Sequence, residues 1–127
     1  MSQAAIADTS FFIAREQGQP LGPHPSTMGV SVITLGELRL GVLVTADPQL
    51  RAQRLNTLLQ VDSLNPLLID RPVANAWARL VLDLRAIGHR MPIDDSWIAA
   101  TAIARQVPVV SQDADYDGVP GLHVIKV

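Results

Sequence analysis

Apolar residues fall along the chain in two alternating rhythms: brief unbroken runs and longer stretches with helical spacing. Ala4 to Ala7 is a short apolar run that ends in Asp8, and Thr9 and Ser10 open a helix from Phe11 to Glu16. Gln17 to Thr27 carries Gly18, Pro20, Gly22, Pro23 and Pro25. It reads as a loop, long by ordinary standards and so a candidate rim for a site. Gly29 to Val32 predicts a second short strand, followed by a helix from Ile33 to Val44 with Leu35, Leu38 and Val42 along one face. Asp47-Pro48 starts the next helix, whose apolar side is Leu50, Leu55, Leu58, Leu59 and Val61. Leu67 to Ile69 is a third short apolar run. Asp70 and Pro72 then open the longest helix, in which Val73, Ala76, Trp77, Leu80, Val81, Leu84 and Ile87 keep a three-four spacing until Gly88 stops it.

Residues 92–113 read as helix, turn, buried strand and acid. Asp94 and Asp95 stand where the helix begins, Ser96 is a further capping residue, and Trp97 to Arg105 is Ala-rich and apolar. A carboxylate there meets unpaired N–H groups and the positive end of the helix dipole. Two carboxylates are more than a cap needs. Val107 to Val110, entered through Pro108, predicts a buried parallel strand whose end delivers Ser111, Gln112 and Asp113. Ala114 to Gly118 is an acidic turn, and Leu122 to Val127 predicts a last strand.

Short strands alternating with helices predict an α/β domain with a parallel sheet covered on both faces. The 127 residues suit a single domain, and 48% apolar against 17% charged residues excludes disorder. A formal charge of −2 excludes a general basic field, so nucleic acid binding would need a local patch or a metal. The basic residues are nine Arg and one Lys, with Arg15 and Arg39 nearest in sequence to the acids considered below. Both are candidates for RNA phosphate or for a partner's carboxylate. Without Cys there is no thiolate metal site. His24, His89 and His123 are isolated and lack ligand spacing. No run approaches the roughly 18 apolar residues of a membrane span, so a cytoplasmic protein without a membrane is expected.

Asp8, Glu37, Asp95 and Asp113 sit at element ends or on the helix beside them. Taken singly, Asp8 is an N-cap and Glu37 a solvated helix residue. Gly36 and Gly41 flank Glu37 at a cost in helix propensity, which a closely packed neighbour would explain. Taken together, the acids gather along the carboxyl edge of a parallel sheet, where ligand crevices lie. Two carboxylates ~4 Å apart repel by about 4 kcal/mol at an effective dielectric near 20. A hard divalent cation with oxygen ligands, Mg²⁺ or Mn²⁺, relieves that repulsion and supports phosphodiester hydrolysis by activated water.

Four segments also resemble a known family: Ala-Asp8-Thr-Ser, Val-Ile-Thr-Leu-Gly-Glu37-Leu, Asp95-Ser-Trp-Ile-Ala-Ala-Thr-Ala and Val-Val-Ser-Gln-Asp113-Ala-Asp115-Tyr. They are similar to PIN-domain nucleases, and more closely to the VapC toxins of bacterial toxin–antitoxin pairs. The resemblance implies a three-layer α/β/α sandwich with a central parallel sheet, a Mg²⁺- or Mn²⁺-dependent endoribonuclease, a homodimer and a VapB-type antitoxin. It carries the family's catalytic, metal-holding acids onto Asp8, Glu37, Asp95 and Asp113, with Asp115 replacing or supplementing Asp113. Ser10 would steady a carboxylate or water, and Asp94 would cap the helix while Asp95 points into the cleft.

Two rivals differ in a discriminating feature. A PIN nuclease of RNA processing would have no antitoxin. A receiver-like domain would accept phosphate at Asp70, but it wants a paired acid after the first strand and a helix after Lys126. On the nuclease reading, neutralising Asp8 or Asp95 relieves repulsion, so stability is expected to hold or rise in both variants.

Overall fold

The computed structural model describes residues 3–127. β1 (Ala5–Ala7) leads through Asp8 into α1 (Thr9–Glu16), and β2 (Met28–Gly29) is followed by α2 (Val32–Leu43) and α3 (Pro48–Asp62). α4 (Arg71–Ala86) and α5 (Ile93–Arg105) come next, then β3 (Val109–Ser111), a 3-10 turn at Ala114–Tyr116, and β4 (Val124–Lys126). The strands form one all-parallel sheet in the order β2-β1-β3-β4.

Each strand has only two or three residues, yet the central two are fully buried from both sides, at Ala5, Ile6, Ala7, Val109 and Val110. Strand alternation divides them. Ile6 and Val109 join a core with Val73, Leu80 and Leu84 of α4 and Ile98 of α5. Ala5, Ala7 and Val110 join a second core with Phe11 and Phe12 of α1, Leu38 and Val42 of α2, and Leu58 and Val61 of α3. Three layers result, with the sheet in the middle. The small residues set the spacing: Ala99, Ala100 and Ala102 of α5 are fully buried, which lets that helix lie close to the sheet. Trp77 of α4 stacks on Trp97 of α5 with centroids 4.4 Å apart and rings 5° from parallel. Its indole N–H also donates to Ser96 Oγ at 2.9 Å, so α4 holds the first turn of α5 in place.

The structure differs from the sequence expectation in places with physical causes. Leu67 to Ile69 is not a strand. Leu67 makes a single parallel bridge to Ser31, donating to the Val30 carbonyl at 2.7 Å, before Asp70 caps α4 through Val73 N–H and turns the chain away. The second strand is shorter than Gly29–Val32 because Ser31 already caps α2, accepting from Ile33 N–H at 3.1 Å. On α3, Leu58 and Val61 are buried, whereas Leu50, Leu55 and Leu59 of the expected apolar side face outward. Neither Asp94, Asp95 nor Ser96 caps α5: Pro92 is the capping residue and no side chain bonds the helix start. Ser96 instead donates to the Ile93 carbonyl at 2.5 Å. Among the described residues, no helix is long and apolar enough to cross a membrane.

Among the described residues nothing is packed against Gly36 or Gly41: beyond the helix's own backbone, a Cβ built at either meets no heavy atom within 4 Å. The closely packed neighbour expected from their cost in propensity is absent. Gly36 is exposed within α2, so Gly36→Ala is expected to stabilise the chain by about 1 kcal/mol through helix propensity. Urea unfolding reads this directly, and a loss of stability would mean that the helix needs glycine there.

Candidate active site

The register of the central strands sets the site. Ile6 pairs with Val109 and Ala7 with Val110, and Asp8 N–H donates to the Val110 carbonyl at 2.9 Å. Asp8 and Ser111 therefore leave the sheet side by side. Asp8 is 2% exposed and caps α1, accepting from Ser10 N–H at 3.3 Å through Oδ2. The cap is one of three contacts. Ser111 Oγ donates to the same oxygen at 3.0 Å, and the Tyr116 hydroxyl reaches Oδ1 at 2.8 Å.

Counting protons orders the hydroxyls around it. Ser111 spends its one proton on Asp8, so Ser10, 3.1 Å away, donates to Ser111. Ser10 in turn accepts from Gln112 N–H at 3.0 Å, and Ser111 accepts from Asp113 N–H at 2.8 Å. Ser10 thus steadies Asp8 directly by its backbone N–H and indirectly by its hydroxyl. No buried side-chain polar atom among the described residues lacks a partner.

The first turn of α5 brings Asp95 over the same floor, with the Tyr116 hydroxyl 3.3 Å from its Oδ1. Asp113 caps the 3-10 turn by accepting from Asp115 N–H at 3.0 Å. One carboxylate oxygen from each of Asp95, Asp113 and Asp115 lies within 4.8 Å of the others. Burial, then a hydrogen bond with Asp115, then the charges of Asp8, Asp113 and Asp115 push Asp95 up to about 8. Burial, then the charges of Asp8 and Asp95, hold the Tyr116 phenol far above its ordinary range. A set of crowded, hard carboxylate oxygens suits a small divalent cation, whose charge would relieve this repulsion. Asp113 and Asp115 each bring an oxygen into this cluster.

Glu37 of α2 is not one of the three converging acids but stands near Asp94 and Asp8. The Thr9 hydroxyl donates to its Oε1 at 2.7 Å, tying it to the start of α1 one residue beyond Asp8. Burial raises its pKa against that hydrogen bond, helped by the nearby charges of Asp94 and Asp8. Asp94 is exposed and, with Glu37, closes one end of a groove of about 380 Å³. The groove continues between α1 and α2 past Ile13, Leu38, Leu40 and Val44 to Arg54.

Cations are few near the acids. Lys126 donates to the Asp113 carbonyl at 3.2 Å and pairs with Asp117 at 3.0 Å, fastening the acidic turn to β4. Arg15 lies over the rings of Phe11 and Phe12 and reaches Gln60, so it packs α1 against α3 instead of facing the acids. Arg39 is exposed on α2. In the expected rim loop, His24 meets the edge of Phe11 and Leu21 packs on the second core. Asp70, the phosphate acceptor of the receiver-like reading, caps α4 and lies 3.9 Å from Arg105.

Ser111, Tyr116 and Thr9 are the residues that sequence reasoning did not single out. Ser111 had a local signal, a hydroxyl at the end of a buried strand two residues before an acid. Tyr116 had none, because its bonds to Asp8 and Asp95 span 108 and 21 residues.

The sequence pattern of the PIN domain matches residues 5–122. The chain is 48% identical over 125 residues to Ribonuclease VapC4 of Mycobacterium tuberculosis, covering 97% of this chain and 96% of that one. It is 43% identical to Ribonuclease VapC5 of the same organism, covering 98% and 96%. Its fold superposes with a TM-score of 0.85 and 41% identity on the crystal structure of VapBC-5 from Mycobacterium tuberculosis, a member of the VapBC family of toxin–antitoxin systems. That match covers 99% of this chain and all of the other. With its parallel three-layer sandwich and the acids at its carboxyl edge, the chain belongs to the PIN-domain family.

Proposed function

We propose that this protein is the endoribonuclease toxin of a toxin–antitoxin pair, hydrolysing RNA phosphodiester bonds with Mg²⁺ or Mn²⁺ in the cytoplasm. The observation that carries the reading is the convergence of Asp95, Asp113 and Asp115 within 4.8 Å beside the buried Asp8. The relatives named ribonucleases over nearly the full chain support it.

Asp8, Asp95, Asp113 and Asp115 would hold the cation. When bound, it lowers the pKa of a water and neutralises charge on the phosphate and the leaving oxygen. The chain's own residues do the rest. Ser10, Ser111 and Tyr116 fix Asp8 before substrate arrives, so no ordering cost falls on the reaction. Glu37, its pKa raised by burial, takes the proton of the attacking water. Without a cation this acidic floor repels RNA, so substrate binding depends on loading the site.

An antitoxin fits the groove between α1 and α2. Leu40 and Val44 are 60% and 68% exposed there, and such a patch marks an interaction surface. A VapB-type segment with apolar side chains along the groove and a cation towards Glu37 and Asp94 would block the acids. This exposed patch favours the toxin over a PIN nuclease of RNA processing without a partner. The exposed Ile87 and Ile93 offer an apolar surface to a second copy of the chain, which supports a homodimer.

Asp8→Asn and Asp95→Asn are both expected to abolish cleavage of a structured RNA, but their stabilities separate. Asp8→Asn leaves one oxygen to serve three donors and sets an NH2 group against at least one of them, which should cost about 1–3 kcal/mol. Asp95→Asn replaces a carboxyl already biased to its neutral form and should melt at or above the wild type at pH 7.5. Retained cleavage in both variants rejects the site.

Asp95 ionises near 3.8 ordinarily and near 8 here. Between those values the folded chain holds more protons than the unfolded one, so metal-free stability should fall as pH climbs from about 4 to about 8. Cation binding favours the ionised form, so Mn²⁺ should raise the melting temperature more at pH 8 than at pH 6. A pH-independent shift, measured by differential scanning fluorimetry, argues against Asp95 as a ligand.

Leu40→Asp or Val44→Asp should weaken antitoxin binding at least tenfold in calorimetry while leaving RNA cleavage by the free protein intact. Unchanged affinity in both moves the partner off this groove.

A further inference from the structure

Tyr116 is the only tyrosine in the chain, and it is fully buried. Its ring fills the core between α4, α5 and the sheet, beside Ile6, Val73, Ile98 and Val119. A phenylalanine would pack there equally well. The hydroxyl therefore answers to something other than the core, since burying it is unfavourable without a partner. Its partners are two carboxylates: Asp8 Oδ1 at 2.8 Å and Asp95 Oδ1 at 3.3 Å.

We propose that Tyr116 is a positioning residue for the metal-dependent reaction, its hydroxyl setting how Asp8 and Asp95 face one cation. The inference rests on the metal-dependent reading above. Lone pairs show what the hydroxyl does. Asp8 Oδ2 accepts from both Ser10 N–H and Ser111 Oγ, so it is full. Asp8 Oδ1 accepts only from Tyr116 and keeps one lone pair free. Asp8 thus offers a single oxygen, on the side facing Asp95. The phenol has one proton, and the shorter contact directs it to Asp8, so Asp95 is left open towards Asp113 and Asp115. Removing the hydroxyl takes the donor from Oδ1 and lets the Asp8 carboxylate turn relative to Asp95, with the aromatic ring kept.

The test is Tyr116→Phe in the full chain, titrated with Mn²⁺ alone and followed by calorimetry and by melting temperature, alongside RNA cleavage. The half-saturating Mn²⁺ concentration should rise about 10–100-fold, the usual effect of losing a group that orients a ligand. The KM for RNA at saturating Mn²⁺ should stay within twofold. In an Asp8→Asn background the same change should add nothing. A purely structural hydroxyl would lower the melting temperature equally with and without Mn²⁺, and an unchanged half-saturation overturns the proposal. If the wild type itself binds no Mn²⁺, the metal-dependent reading falls and takes this proposal with it.

Because the chain has one tyrosine, uniform 3-fluorotyrosine labels this position alone. This keeps the question open to measurement even if Tyr116→Phe folds poorly. Mg²⁺ should shift the single ¹⁹F resonance in the wild type and not in Asp8→Asn. A resonance indifferent to saturating Mg²⁺ overturns the proposal.

Discussion

Burying Asp8 at the end of a central strand is the constraint to which the neighbouring structure responds. A carboxylate removed from water costs several kcal/mol unless donors or a counter-charge replace its hydration. The fold supplies donors from three segments: the start of α1 through Ser10, the end of β3 through Ser111, and the 3-10 turn through Tyr116. None of them is a cation. Asp8 is therefore held by fixed dipoles and not by a counter-charge from these segments.

The rest of the architecture keeps those dipoles in place. β1 and β3 lie side by side in register, so Asp8 and Ser111 leave the sheet together. The buried alanines of α5 let its first turn approach that edge, and the stacked Trp77–Trp97 pair with the Trp77–Ser96 hydrogen bond fixes where the turn sits. Lys126 ties the acidic turn to the last strand. The site is built on strand ends and helix starts, which move less than loops.

Crowding separates acids that look alike in sequence. Asp94 and Asp95 are adjacent, both in the first turn of α5. A helix turns about 100° per residue, so one faces the acid cluster while the other stays exposed at the groove with Glu37. Asp95 takes the burial and the repulsion, and its pKa rises to about 8. The same geometry joins the acidic centre to an apolar groove, so one partner segment can cover the surface and meet the charge at its end.

The order of most helices and strands and the buried parallel sheet were legible in the sequence, and the acids stood out there as candidates. Apolar periodicity, capping residues and element ends are local properties, and the backbone obeys them nearly everywhere here. The exceptions were local too. Leu67 to Ile69 was apolar enough for a strand, but the Asp70 cap left it no length to pair. Tertiary structure alone decided which of Asp94 and Asp95 enters the cluster, that Asp113 and Asp115 both do, and that Ser111 and Tyr116 hold Asp8. Those facts depend on contacts across as many as 108 residues. Hydrogen-bond geometry and desolvation act over a few ångströms in space, and a linear pattern carries no record of which distant residues will share them.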